Sequence, residues 1–323
     1  WRWSEDEVLV HCLPLSHQHG LGGVHATLLA GSSAVILPRF EPSELVEALR
    51  THRASVLFAV PAIYERLVEQ PDLTEVALRL AVSGSAPLDA GLAHRIADIL
   101  GEIPLERYGS TESGLDVSNP LDGPRLPGTV GIPLPGVELR IVDESGAALP
   151  AEHDGEIVLR GPQVFSEYWN RPEATREAFL DGGWFRTGDI GRIDANTGHL
   201  TITGRKKELI ITGGMNVYPR EVELALERHP SVAEAAVAGV PSQRWGEEVT
   251  AWVVADGAVA ADELIEHARG LLAGYKCPKR VLFVDALPRN SMGKLQRSTL
   301  VADAVEPNTA VLDRAVAKLS RAD

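Results

Sequence analysis

The stretch ASVLFAVPAIYERLVEQ (residues 54–70) joins two hydrophobic patterns at a single proline. Up to Val60 it is a continuous apolar run of buried-strand length, and from Pro61 it turns helical. The alternation extends in both directions. EVLVHCLPL (7–15) reads as a strand, and PSELVEALRTH (42–52) reads as a helix with a Pro-Ser start and apolar residues at 45, 46, 48 and 49. LRLAVSGSAP (78–87) is a strand ending in small residues. PLDAGLAHRIADIL (87–100) carries Leu88, Leu92, Ile96 and Ile99 at helical spacing, and IPLERYG (103–109) restarts a strand. Such β-α alternation predicts an α/β fold of parallel strands with crossover helices.

From about Leu115 the texture changes to short strands and turns. Pro and Gly cluster in NPLDGPRLPGTVGIPLPG (119–136), VELRIVDESGAALP (137–150) alternates and then turns, and GEIVLRG (155–161) is a further strand. An antiparallel, β-barrel-like subdomain is expected here. A third region opens near GRKKELI (204–210). YPREVELALERHP (218–230) places Pro219 near the first helical position and Val222, Ala225, Leu226 and His229 on one face. AEAAVAGVP, EEVTAWVVA, DELIEHARGLLA and RVLFV then read as strand, strand, helix and strand. This predicts a separate small α+β domain over 206–323, after a 1–205 portion that divides into 1–114 and 115–205.

The totals narrow the function. With 323 residues the chain is long enough for two domains, and its net charge of −14 disfavours nucleic acid or a membrane surface as partner. Cys12 and Cys277 form neither a disulfide framework nor a metal-ligand pattern, which points to a reducing cytoplasm. No run has membrane-spanning length and no signal peptide opens the chain. It starts without methionine and runs at once into a strand, so it reads as a fragment of something longer.

Gly-rich polar loops interrupt the scaffold just after strands, where α/β sheets bind ligands. LERYGSTES (105–113) offers Gly109 for close backbone approach, the hydroxyls of Ser110 and Thr111, and Glu112 as a hard oxygen suited to Mg²⁺. A plain turn with a solvated glutamate would look the same. WFRTGDIGRID (184–194) sets Asp189 between Arg186 and Arg192, which suits ribose and phosphate or, more plainly, a hairpin with surface ion pairs. Gly213 and Gly214 leave room for a narrow ligand or make a tight hairpin. LPLSHQHGLGG (13–23) puts His17 and His19 on a Gly-rich turn with no third metal ligand nearby, so zinc is disfavoured, while a helix cap, a satisfied turn histidine and a polar pocket wall stay open. RNSMGKLQR (289–297) is basic and lacks a hydrophobic anchor.

Taken in order, LPLSHQHGL, SGSAPL, ERYGSTES, RTGD, GRKKELIITGGMNVYPREVE and LPRNSMGKLQR resemble the adenylate-forming superfamily of acyl-CoA synthetases, NRPS adenylation domains and luciferases, over about residues 8–301. The resemblance implies a large domain, of which 1–205 is the later portion, and a mobile C-terminal lid. It implies a two-step reaction: a carboxylate attacks the α-phosphate of Mg·ATP, and CoA thiol then displaces AMP. Carried over by motif, Lys294 contacts the substrate carboxylate and α-phosphate, Thr111 contacts phosphate, and Glu112 holds Mg²⁺. Asp189 binds the ribose hydroxyls with help from Arg205. Gly84, Ser85 and Ala86, with Tyr108 and Gly109, line the nucleotide slot. His17 sits at the acyl pocket, Lys207 is the hinge, Gly293 frees the lysine loop, and Gly213 and Gly214 border the CoA tunnel. The family's upstream phosphate loop is absent from this sequence, so the fragment alone is expected to be inactive.

The histidine motif lacks the acidic residue with which amino-acid activators pair the substrate amine. Arg107, just before the Tyr-Gly pair, suits a second substrate carboxylate, or else pairs with Glu106 or another protein carboxylate. The combination of motifs is most similar to malonyl-CoA synthetases, implying malonate, and in some members methylmalonate, as the acid. A short- or medium-chain fatty or aryl acid ligase, or a non-catalytic nucleotide-binding fragment, are the alternatives.

Overall fold

The computed structural model of the chain describes residues 1–290 and 294–305. They belong to two compact units, Trp1–Ile202 and Thr203–Asp323. Gly293 lies outside the described residues.

In the first unit strands and helices alternate: β1 (Val8–His11), α1 (Gln18–Ala30), β2 (Ser33–Ile36), α2 (Pro42–Thr51), β3 (Val56–Ala59), α3 (Pro61–Leu67), β4 (Leu80–Ser83), α4 (Ala90–Leu100) and β5 (Leu105–Tyr108). The five strands are parallel, in the order β2-β1-β3-β4-β5. All four residues of β3 are buried, which is why its sequence is a continuous apolar run rather than an alternation. Pro42 and Pro61 open their helices, where an N–H has no intrahelical partner to lose. Leu9, Leu45, Leu49, Leu57, Leu67 and Ile96 fill the core between sheet and helices. Tyr64 is wholly buried there and donates its hydroxyl to the Val82 carbonyl at 3.0 Å. Two short antiparallel strands, β6 (Val117–Ser118) and β7 (Ile132–Pro133), extend the sheet beyond β5.

The rest of this unit is built from β8 (Glu138–Val142), β9 (Gly155–Arg160), α5 (Pro172–Ala178), β10 (Phe179–Leu180), β11 (Trp184–Ile193) and the first half of β12 (Leu200–Arg205), which runs on into the second unit. Its strands run β10-β11-β9-β8, with β12 also on β11, and the described pairings of β11 with β9 and β10 and of β8 with β9 are antiparallel. The second unit contains β13 (Ile210–Thr212), β14 (Met215–Val217), α6 (Pro219–Glu227), β15 (Val232–Ser242), β16 (Gly246–Ala255), α7 (Ala261–Leu271), β17 (Arg280–Phe283) and α8 (Arg297–Val305). Val222 and Leu226 of α6 and Leu264 of α7 pack on Val237, Val249 and Val253 of the sheet. Among the described residues no helix is long and apolar enough to cross a membrane.

Two local expectations are corrected. Residues 18–23 are not a Gly-rich turn but the opening of α1, with Gly20, Gly22 and Gly23 inside the helix. Each interior glycine costs a helix about 1 kcal/mol against alanine, but a Cβ on Gly20 would lie 2.2 Å from the Pro14 carbonyl oxygen. Close passage of the incoming chain outweighs propensity there. Asp189 stands within β11 rather than beyond a strand end, where the pairing with β9 shifts register between Arg186 and Ile190. The shift turns this stretch away from regular pairing.

Candidate active site

Strand order reverses at β1 and β3: the chain leaves β1 for β2 on one side and returns to place β3 on the other. Loops at the carboxyl ends of strands flanking such a point form a crevice. Three candidate segments occupy these ends: 12–17 after β1, 84–89 after β4, and 109–116 after β5.

The residues of these segments meet. His17 caps α1, its Nδ1 accepting the His19 N–H at 3.2 Å, while His19 itself is buried. His19 Nδ1 lies 3.3 Å from Ser85 Oγ, and its ring packs against Phe58. Burial, then the nearby Arg107 charge, pushes the His19 imidazole down to about 2, so it is neutral. Sequence reasoning chose His17 for the pocket wall. The structure makes His17 a helix cap, one of the readings open from sequence, and puts His19 beside the β4 loop.

Ser85 has φ +70°, a left-handed backbone uncommon outside glycine, while Gly84 is buried and Ala86 exposed. A Cβ on Gly84 would sit 2.9 Å from Arg107 Nε, so the arginine lies directly across this glycine. Arg107 is 9% exposed. Burial lowers its guanidinium to about 10, against the opposing charge of Asp116. Among the described residues no carboxylate comes within ion-pair distance of it. Glu106 is not its partner, because neighbours on a strand face opposite ways: Glu106 accepts the Leu88 N–H at 3.1 Å.

The 109–116 loop is internally braced. Ser110 Oγ lies 2.9 Å from Ser113 Oγ, Ser113 donates to Asp116 at 2.5 Å, and Gln163 donates to the other Asp116 oxygen at 3.1 Å. Gly109 is obligatory, since a Cβ would fall 2.1 Å from the Gly114 carbonyl oxygen. Thr111 is exposed on this loop. Glu112 accepts the Tyr168 hydroxyl at 3.0 Å, and its carbonyl accepts the Phe165 N–H at 2.8 Å. Burial and the Glu112 charge push the Tyr168 phenol up to about 12. Among the described residues no group of three His, Cys, Asp or Glu could hold a metal. A lone oriented carboxylate fits magnesium, which takes one or two protein carboxylates and fills its remaining positions with water and substrate phosphates.

Tyr108 donates its hydroxyl to Asp189 Oδ2 at 2.7 Å, and the Asp189 N–H bonds Thr187 Oγ1 at 3.0 Å. Burial and the Asp189 charge hold the Tyr108 phenol well above its ordinary value. The residues carried over to adenine and ribose are thus directly bonded. The two arginines do not serve as free cations: Arg186 pairs with Glu156 at 2.5 Å and Arg192 with Asp154 at 3.7 Å.

In the second unit, Arg205 and Lys207 are exposed at the turn Lys206–Glu208. Gly213 and Gly214, with φ +57° and +79°, form the two-residue turn of the β13–β14 hairpin. Trp245 packs over Gly213, whose Cβ would meet its ring at 3.3 Å. Lys294 is exposed, its N–H bonded to Asn290 Oδ1 at 3.0 Å and its carbonyl to the Asn290 N–H at 2.9 Å.

The family model for AMP-binding enzymes matches residues 1–169, and that for the AMP-binding enzyme C-terminal domain matches residues 221–294. The mitochondrial malonate–CoA ligase of Homo sapiens is 40% identical over 343 residues, 93% of this chain and 59% of that protein. A feruloyl-CoA synthase from an Amycolatopsis species is 39% identical over 302 residues, 90% of this chain and 60% of that protein. ATP-bound MatB from Rhodopseudomonas palustris matches with a TM-score of 0.89 at 44% identity, over 95% of this chain and 62% of that one. The chain therefore spans about three-fifths of the length of these relatives.

Proposed function

Because the chain belongs to the AMP-binding enzyme family, we propose that the whole protein is an ATP-dependent acid–CoA ligase whose acid is a small dicarboxylate, malonate. The observation that carries the choice of acid is Arg107: nine-tenths buried at the carboxyl end of β5, it has no protein carboxylate at ion-pair distance among the described residues. A buried cation is costly unless paired. The far carboxylate of malonate supplies that pair, in a bidentate geometry the guanidinium fork favours. Neutral His19 and the Ser85 hydroxyl offer further polar contact without a competing charge. The similarity to a malonate–CoA ligase supports the same choice.

In this reading the near carboxylate oxygen attacks the α-phosphorus of ATP and pyrophosphate leaves. CoA sulfur then attacks the acyl carbon, AMP leaves, and the thiol proton passes to solvent. Lys294 neutralises charge where the two anions meet in the first step. Thr111 holds phosphate oxygens; Asp189 accepts the ribose hydroxyls, held in place by Tyr108 and helped by Arg205. Gly84, Ser85 and Ala86 give the base a narrow slot. Magnesium, when bound, neutralises the triphosphate, and Glu112 would hold it, steadied by the Tyr168 hydroxyl. Gly213 and Gly214 border the path of the CoA arm. Lys207 is the hinge between the 1–205 portion and the 206–323 lid. Buried, free Cys12 and Cys277 suit a reducing compartment, which we take to be the cytoplasm.

The test is pyrophosphate release and thioester formation by the full-length protein on a panel of acids, with and without CoA. Arg107→Ala should lower kcat/KM for malonate by roughly 10²-fold or more, the cost of truncating one side of a buried charge pair, while sparing acetate and butyrate. Equal loss on all acids, or preference for an aryl acid, removes the dicarboxylate reading.

A further inference from the structure

One guanidinium in the second unit ties together segments far apart in sequence. Arg297 opens α8, three residues after Lys294. Its Nε donates to the Val237 carbonyl of β15 at 3.0 Å. Its Nη1 donates to Glu208 at 2.9 Å, and its Nη2 to Glu223 of α6 at 2.6 Å. Glu223 is 2% exposed and also accepts the Val237 N–H at 2.9 Å, so this end of the cluster is rigid. Glu208 sits at the other end, in the three-residue turn that also holds Lys207.

The described residues before Arg297 are braced as well. Arg289 and Leu295 pair as an isolated bridge, the Gln296 N–H bonds the Pro288 carbonyl at 2.9 Å, and Arg289 reaches Glu234 at 2.6 Å. Lys294 therefore adjoins a braced segment, three residues before the clamped Arg297. A lysine that must stabilise a transition state has to be held to within a fraction of an ångström, and its own long side chain cannot do that. Arg297 is suited to the task because its planar fork fixes direction as well as distance.

We infer that Arg297, with Glu208 and Glu223, is a positioning cluster that fixes the Lys294 loop to the turn bearing Lys207, so that the lysine keeps its register with the hinge during acid activation. The inference rests on the proposed ligase reading and adds residues outside the reacting groups. Neither Glu208 nor Arg297 touches substrate in this account.

Glu208→Gln in the full-length protein is the informative variant. It is a near-isosteric change at the less buried end, and it leaves the Arg297–Glu223 contact in place, whereas Arg297→Ala would strand a buried glutamate and risk the fold. Pyrophosphate release with malonate and no CoA should slow by about tenfold in kcat, with KM for ATP and malonate unchanged, as expected when only a transition-state interaction is weakened. Thioester formation from supplied malonyl-adenylate and CoA should stay near the wild-type rate, with a melting temperature like that of the wild type. Arg297→Lys, which keeps charge but loses the fork, should show the same split. If both half-reactions fall together with the melting temperature, the cluster is only a structural brace and the inference fails; if neither half-reaction changes, it fails as well. A wild-type protein that releases no pyrophosphate with any acid removes the ligase reading and this inference together.

Discussion

Glu106→Gln tests the electrostatics of the β5 strand directly. Glu106 is 4% exposed and turned toward the Leu88 N–H. Burial pushes its carboxyl up from 4.5 to about 8, the Leu88 hydrogen bond opposing the rise. The folded protein thus holds this proton more tightly than the unfolded chain does. The resulting stabilisation is full below about pH 4.5, declines as pH rises, and is lost once pH passes about 8. At about 1.4 kcal/mol per pKa unit, the ceiling on the loss is on the order of 4–5 kcal/mol. Glutamine keeps an oxygen acceptor for Leu88 but does not titrate. The variant should match the wild type near pH 4.5 and gain on it with every unit toward pH 8. For units of this size, about 2–4 °C per kcal/mol makes the difference on the order of 10 °C at pH 8 to 9. Thermal melts of both proteins across pH 5 to 9 read this out. Parallel melting curves at every pH, or a variant that is the less stable one at pH 9, would show that Glu106 is not held protonated by burial.

Lys294→Ala should abolish pyrophosphate release with malonate yet largely spare thioester formation from supplied adenylate; loss of both half-reactions together would sink the role proposed for Lys294 in the first step. Gly109→Ala drives a methyl to 2.1 Å from the Gly114 carbonyl oxygen. The displaced loop should cost about 1–3 kcal/mol of stability and roughly 10²-fold in activity through misplacement of Thr111 and Glu112; unchanged melting temperature and rate would mean the loop accommodates the methyl.

The scaffold was legible where burial leaves a periodic trace. β3 and β4 are wholly buried, so each reads as an apolar run, and Pro61 and Pro42 mark the helices that follow β3 and β2. α1 was not legible because its sequence answers to a neighbour rather than to helix propensity: Gly20 is there to let Pro14 pass, and Gly23 packs against Leu9 and Phe58. The same loss of local signal hid where the helix starts, and so the different places of His17 and His19.

The candidate residues were legible from sequence as types, but their connections were not. Glycine, hydroxyl and carboxylate after a strand suit phosphate chemistry or a plain turn equally, and the partner of Tyr108 lies 81 residues away on another sheet, where no spacing rule finds it. Arg107 is the instructive case. From sequence its partner was Glu106, another protein carboxylate or a substrate carboxylate; the alternation of a strand removes Glu106, which spends its oxygen on Leu88 from the opposite face, and among the described residues no other carboxylate stands at ion-pair distance. What is left is a buried cation at a strand end, partly offset by Asp116 at longer range. Full compensation by a close protein carboxylate would have left no electrostatic reason to bind a second carboxylate. Partial compensation by Asp116 keeps the arginine tolerable and would still leave it attractive to a dianion, the balance that the proposed preference for a dicarboxylate over a monoacid would need.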